Sequence, residues 1–156
     1  MLINDYPLLT HGGYTQEIDH IFINRAGIFV IETKNWAGEI RGSEDSIYWE
    51  QILGDDDIFH KHNNPLKQND IHAKKVQKVF DDDVFIYPGV VFVQNNIPRI
   101  KDDKICNLCH LRSYINSKEG VYMDSEVKEF YEILLEHKNL TFTTEDHIDE
   151  IKRLHS

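Results

Sequence analysis

Glu17-Ile18-Asp19-His20-Ile21-Phe22-Ile23 is followed by Asn24-Arg25-Ala26-Gly27 and then by Ile28-Phe29-Val30-Ile31-Glu32-Thr33-Lys34-Asn35-Trp36. Both flanks are rich in β-branched and aromatic residues, the composition of strands. Asn at the first position and Gly at the fourth suit a tight turn between them. The segment therefore reads as a β-hairpin with Asn24 opposite Gly27, and that register carries on to place Asp19 opposite Glu32. Side chains alternate along a strand, so Glu32 and Lys34 share a face, roughly 7 Å apart. A bulge at Gly27 is the alternative, and it turns Asp19 to the other face.

In the straight register the Asp19 and Glu32 Cβ atoms are about 5 Å apart. Two carboxylates at that separation repel by roughly 3 kcal/mol at an effective dielectric near 20. A proton, the Lys34 ammonium or a bound divalent cation has to offset that repulsion. The cation also supplies chemistry, since two carboxylates with a carbonyl and waters make a hard oxygen site for Mg²⁺ or Mn²⁺. Such an ion polarises a phosphoryl oxygen and acidifies a bound water, and a lysine on the same face orients that water or stabilises developing charge. The plainer alternative is a solvated strand end with ordinary surface pairing, because Glu-x-Lys is a common spacing.

Outward from the hairpin, Leu2 to Leu8 reads as a first strand, with Pro7 fitting an edge or exit. Thr10-His11-Gly12-Gly13 reads as a turn. Gly38 to Gly42 and Ile47 to Gln51 read as short strands around a turn at Ser43 to Ser46, and Gly54 to Asn64 reads as polar and irregular. Asn64 as cap and Pro65 at the first helical position start a helix whose stripe includes Val76, Val79 and Phe80, with Asp81-Asp82-Asp83 closing it. On that helix Gln68 and His72 are one turn apart and close to the apolar face. They are either carried inward, where a phosphate or catalytic centre can use their donors, or are boundary residues half in water.

Val84 to Val93 reads as a buried strand broken at Pro88-Gly89, and Lys104 to Cys109 as a short strand with two half-buried thiols. Leu111 to Asn116 is a short helix. Asp124 or Ser125 caps a further helix carrying Val127, Phe130, Tyr131, Leu134 and Leu135, and Thr143 or Thr144 caps a last one. The order predicts an α/β or α+β fold around a mixed sheet.

The chain has 156 residues, a length for one domain spanning 1–156, with a core at about 2–93 and a C-terminal strand and helices over 104–155. Seventeen basic against 27 acidic residues give a net charge of -10, which argues against nonspecific coating of nucleic acid but leaves room for a small basic cleft. The apolar runs are strand-sized, so no membrane helix is expected. Met1 to Asp5 lacks the basic start and apolar stretch of a signal peptide. Two cysteines make no disulfide framework, and a reducing compartment, the cytoplasm, is expected. Cys106 and Cys109, with His60 and His62, leave a zinc site as a minor reading.

Glu-Ile-Asp-His, the segment from Gly27 through Trp36 to Gly38, and Asn64-Pro65-Leu66-Lys67-Gln68 with His72 four residues on together resemble the nuclease-related domain family, NERD. That family is assigned to the PD-(D/E)xK superfamily. The resemblance runs from about Leu2 to Val93. It implies a restriction-endonuclease-like mixed β-sheet flanked by helices and a divalent-metal-dependent hydrolysis of DNA phosphodiester bonds. It also implies Asp19 and Glu32 as metal-binding carboxylates and Lys34 as the catalytic lysine, with Gln68 in place of the superfamily's helix glutamine and His72 beside it. Trp36, Arg41, Lys67, Lys74 and Lys75 are candidates to touch the DNA backbone or stack on a base; otherwise the four cations are solvated charges and Trp36 is a packing residue.

Family members usually begin with a helix carrying a glutamate, and here Met1 stands almost at the first strand. The expectation is that this helix is absent and that its sheet face is covered by the C-terminal helices or by a second copy in a homodimer. A non-catalytic DNA-binding or protein-interaction module on the same fold is the alternative function.

Overall fold

A computed structural model describes the backbone of residues 1–9, 15–54 and 58–154, and the side chains of these except 9, 15, 58 and 142–154. The expected turn at Thr10 to Gly13 lies outside the described residues. Strands β1 (Leu2–Leu9), β2 (Thr15–Asn24) and β3 (Gly27–Lys34) form an antiparallel meander. Strands β4 (Glu39–Arg41), β5 (Tyr48–Leu53) and β6 (Ile58–Asn63) follow as a separate antiparallel sheet. Helix α1 (Pro65–Gln77) then leads to β7 (Ile86–Phe92), which pairs parallel to β3, and β8 (Ile105–Asn107) pairs parallel to β7. The larger sheet has the order β1-β2-β3-β7-β8. Helices α2 (Leu111–Asn116) and α3 (Asp124–Leu154) complete the described chain. The architecture is mixed α/β.

The hairpin has the predicted register: Asn24 pairs with Gly27, and the ladder continues to His20 opposite Ile31. Asn24 Oδ1 accepts from Ala26 N at 2.8 Å and closes the turn. Gly27 has φ +141°, and a Cβ there would lie 2.3 Å from Phe85 O, so glycine is required.

One face of the larger sheet carries Ile3, Tyr6 and Leu8 from β1, Ile18, Ile21 and Ile23 from β2, and Ile28 and Val30 from β3. Ala73 and Val76 of α1 and Val127 and Leu134 of α3 pack on it. The opposite face carries Phe29, Ile31 and Val91 under Leu111, Tyr114 and Ile115 of α2. The face on which the homodimer expectation rested is therefore covered by α3 together with α1. On β1 and β2 the buried set changes phase at one level, between Ile3 and Tyr6 and between Ile18 and Ile21. Asp5, with φ +51°, stands at that level, and the ladder passes over it between Asn4–His20 and Tyr6–Ile18. The phase change takes Asp19 out of regular pairing next to the end of β3.

Four expectations are corrected. Gly54 to Asn64 is not all irregular: β6 pairs with β5 along its whole length, its exposed His60 and Lys61 giving the polar look of an edge strand. Pro88-Gly89 does not break β7. Proline's missing donor is harmless there, because β8 joins only from Val90 onward and Pro88 O accepts from the Tyr114 hydroxyl at 2.7 Å. At Gly89 a Cβ would meet Ile31 Cδ1 at 2.9 Å, so the glycine serves close packing. The strand expected over Lys104 to Cys109 is only Ile105–Asn107, and Cys109 is exposed on a 3-10 turn over Leu108–His110. The two expected C-terminal helices are one: α3 runs through Thr143 and Thr144. Its start is closed by Glu126 Oε2 accepting from Met123 N at 2.7 Å. Within it Thr141 Oγ1 bonds back to His137 O at 2.9 Å, which satisfies the hydroxyl without ending the helix.

Helix α1 starts as predicted. Asn64 Oδ1 accepts from Leu66 N at 3.0 Å, and its Nδ2 reaches the carbonyls of Ser43, Glu44 and Ser46. One side chain thus caps the helix and ties it to the β4–β5 turn. Leu66 packs with Ile40, Trp49, Val90 and Phe92, joining the smaller sheet to the C-terminal end of β7.

Candidate active site

The end of β3, the first two turns of α1 and the displaced Asp19 meet at one place. Glu32 points to the α1 side of the sheet, its side chain 8% exposed. Lys34, two residues on and on the same face, donates to Glu32 Oε1 at 2.6 Å. Glu32 Oε2 is buried with no hydrogen-bond partner among the described residues. His72, 1% exposed, has its Nδ1 3.8 Å from that oxygen, and neither ring nitrogen has a hydrogen-bond partner among the described residues. Asp19 Oδ2 accepts from Thr33 N at 2.7 Å and Thr33 Oγ1 at 2.6 Å, replacing a ladder bond that β2 no longer makes. Its charge is felt at both Glu32 and His72.

The electrostatics follow from burial. Desolvation raises the Glu32 pKa; the hydrogen bond and charge of Lys34 oppose the rise, and Asp19 adds to it. Desolvation, then the charges of Lys75 and Lys34, lowers His72 to about 4, against a smaller opposite effect of Asp19. His72 is therefore neutral at physiological pH. It excludes water from Glu32 without cancelling its charge.

Gln68 lies one turn before His72, half-buried, and its amide has no partner among the described residues. The remaining candidates are scattered. Trp36 is half-buried, stacked on His62 at 4.1 Å, with Phe92 against it edge-on and Lys34 Nζ 5.4 Å from its ring centre. These contacts fit the packing reading of Trp36. Arg41 makes a two-pronged pair with Glu39 at 2.7 and 3.2 Å. Lys67 bonds Asp45 O and Lys75 bonds Gln16 Oε1, while Lys74 is exposed on the far half of α1.

Two residues of the site were not singled out from sequence. Thr33, the residue between Glu32 and Lys34, holds Asp19. Asn69 is fully buried, and its Nδ2 bridges Val30 O at 2.9 Å and Gly89 O at 3.0 Å, fastening α1 to β3 and β7. Its sequence signal is a polar residue on the stripe Leu66, Asn69, Ala73, Val76, where helical periodicity calls for an apolar one.

No group of three or more His, Cys, Asp or Glu among the described residues is arranged to hold a metal by itself. His62 is engaged with Trp36 and with Gln51, and Cys106 and Cys109 are free thiols elsewhere, so the zinc reading has no cluster to rest on. The fit to Mg²⁺ or Mn²⁺ is different, because these ions are commonly held by one or two carboxylates with water and substrate phosphate completing the shell. Asp19 and Glu32 are such a pair, and Glu32 Oε2 is a buried oxygen that lacks a positive partner. Among the described residues, no helix is long and apolar enough to cross a membrane.

A family model described as nuclease-related domain matches residues 1–93. The chain is also 39% identical over 79 residues to an uncharacterized protein of Bacillus anthracis, an alignment covering 49% of this chain and 35% of that protein. The chain thus matches about a third of that relative's length. No solved structure matches significantly.

Proposed function

Because the chain belongs to the nuclease-related domain family, we propose that it hydrolyses DNA phosphodiester bonds with a divalent cation, Mg²⁺ or Mn²⁺, on a restriction-endonuclease-like core. The observation that carries this reading is the Glu32 carboxylate, buried with one oxygen on the Lys34 ammonium and the other without a hydrogen-bond partner among the described residues. A buried ion pair with an orphaned oxygen is poor stabilising material. A perturbed carboxylate of this kind beside a lysine is a functional-site signature.

Asp19 and Glu32 would hold the cation, which when bound polarises the phosphoryl group and acidifies water. Thr33 fixes one Asp19 oxygen through two short bonds, so that carboxylate is preorganised. The Lys34 ammonium stabilises charge developing on a phosphoryl oxygen or orients the attacking water. His72, neutral and dry, keeps Glu32 out of bulk solvent and so strengthens each interaction it makes. Gln68 offers an unused amide one turn away for a phosphate oxygen or a water.

The test is cleavage of single- and double-stranded DNA with Mg²⁺, Mn²⁺ or EDTA, beside Lys34→Ala and Asp19→Ala. Metal-dependent cleavage lost in both variants, with folding intact, is the expected result. Unchanged cleavage by Asp19→Ala removes the mechanism. No cleavage with either metal favours the non-catalytic module, the reading to which the net charge of -10 lends support.

A further inference from the structure

Glu32 and His72 meet at the join between β3 and α1. Glu32 Oε2 and His72 Nδ1 are 3.8 Å apart, on side chains 8% and 1% exposed. Neither atom has a hydrogen-bond partner among the described residues, and His72 Nε2 has none either. Lys34 takes only the other carboxylate oxygen, Oε1. The distance is not the product of loose packing. Asn69, less than one turn before His72, ties α1 to Val30 O and Gly89 O.

Two such groups can be joined at three spacings. A direct hydrogen bond draws them to about 2.9 Å. One water bonded to both holds them about 4.5 Å apart. One metal ion with bonds near 2.1 Å holds its donors about 3.0–4.2 Å apart, from a right angle to a straight line. The observed 3.8 Å falls in the last range alone. A nitrogen donor also changes which ion fits. Mg²⁺ prefers oxygen throughout, whereas first-row transition ions accept imidazole.

We propose that His72 is a metal ligand, its Nδ1 standing beside Glu32 Oε2 on the cation of this site, and that the site therefore selects Mn²⁺ over Mg²⁺. The proposal rests on the metal-dependent reading above and adds a nitrogen donor next to Glu32. Water and substrate phosphate complete the shell. An imidazole that only excluded water would leave the bound ion with no nitrogen.

The experiment loads the untagged, metal-free protein with Mn²⁺, without DNA, and reads it by electron paramagnetic resonance. The free-ion signal gives affinity, with Mg²⁺ as competitor, and pulsed spectra detect nitrogen bonded to manganese. Wild type should show a directly bonded nitrogen, and nitrogen-15 labelling of histidine alone should convert its signal. His72→Gln should lose that signal and bind Mn²⁺ about 10–100-fold more weakly, with Mg²⁺ affinity changed by less than about threefold. His62→Gln, which alters a ring stacked on Trp36, should keep both. His72 is buried, so wild type decides if His72→Gln does not fold: Zn²⁺ should then shift the nitrogen-15 resonance of His72 Nδ1. Absence of saturable Mn²⁺ binding, bound Mn²⁺ without a nitrogen signal, a signal that persists in His72→Gln, or equal losses of Mn²⁺ and Mg²⁺ affinity overturn the proposal. An unmoved His72 resonance with Zn²⁺ bound does the same. Cleavage by wild type and Lys34→Ala is measured separately with Mn²⁺. If Lys34-dependent cleavage is present, the nuclease reading survives those failures. A nitrogen-bound ion in a wild type that cleaves no DNA leaves His72 a ligand and sinks the hydrolytic reading instead.

Discussion

Asn69→Ala tests how the site is held. Asn69 is fully buried, and its amide nitrogen satisfies two backbone carbonyls, Val30 O on β3 and Gly89 O on β7. Truncation leaves both acceptors without this donor in the interior. Each unsatisfied group costs about 1–3 kcal/mol, and the lost side-chain volume adds to that. Asn69 Oδ1 already lacks a partner, and removing it offsets part of the loss. The balance is a destabilisation of about 2–4 kcal/mol, which for a chain of this size lowers Tm by roughly 5–15 °C. Urea unfolding in EDTA measures it, with an unchanged m-value showing that stability and not compactness has moved. Asn69→Asp should be worse at neutral pH, because it sets a carboxylate against two carbonyls. A loss below about 0.5 kcal/mol for Asn69→Ala would refute the claim that this amide fastens α1 to the sheet. Such a result would also leave His72 with no stated reason for its position.

Two further outcomes follow from the buried charges. His72 has its folded pKa depressed from 6.5 to about 4, so its contribution is complete above pH 6.5 and is lost as pH falls toward 4. Relative to His72→Gln, wild type should lose about 3 kcal/mol between pH 7.5 and pH 4 in urea titrations; a difference independent of pH contradicts a dry, neutral imidazole. Glu32 has its folded pKa raised by burial, so its ionised form works against folding as pH rises past the usual carboxylate range. In EDTA at pH 7.5, Glu32→Gln should therefore melt higher than wild type, and assayed separately with Mn²⁺ it should lose cleavage; a lower Tm would show that the Lys34 pair stabilises more than desolvation costs.

Much of this was readable in the sequence because local chemistry and tertiary structure agree there. The hairpin register followed from Asn24 and Gly27, and the start of α1 from Asn64 and Pro65, positions where backbone geometry dictates residue type. Glu32 and Lys34 share a face as strand alternation requires. What was not readable depends on distant partners. Thr143 and Thr144 look like caps, but the helix runs on through them. Pro88 looks like a break, but only to a reader who does not know that β8 begins at Val90. The release of Asp19 from pairing is set by a phase change shared by β1 and β2, and no single strand's pattern carries that information.

The unsatisfied atoms give the site its meaning. Among the described residues, Glu32 Oε2, Asn69 Oδ1 and both nitrogens of His72 are buried without partners, and the remaining such atoms belong to Asn96 and Asn107. Elsewhere the fold meets its polar groups with care: one Asn64 side chain makes four bonds, and Asn24 closes its own turn. A chain that satisfies its polar groups at the helix cap and in the hairpin, yet leaves Glu32 Oε2 and the His72 ring beside it open, is not short of ways to close them. Apolar residues at 32 and 72 would fill the same space at lower cost. Native structures concentrate such violations where function requires them. Reactive polar groups are therefore the economical explanation of why β3 and α1 meet around a charge instead of around another leucine.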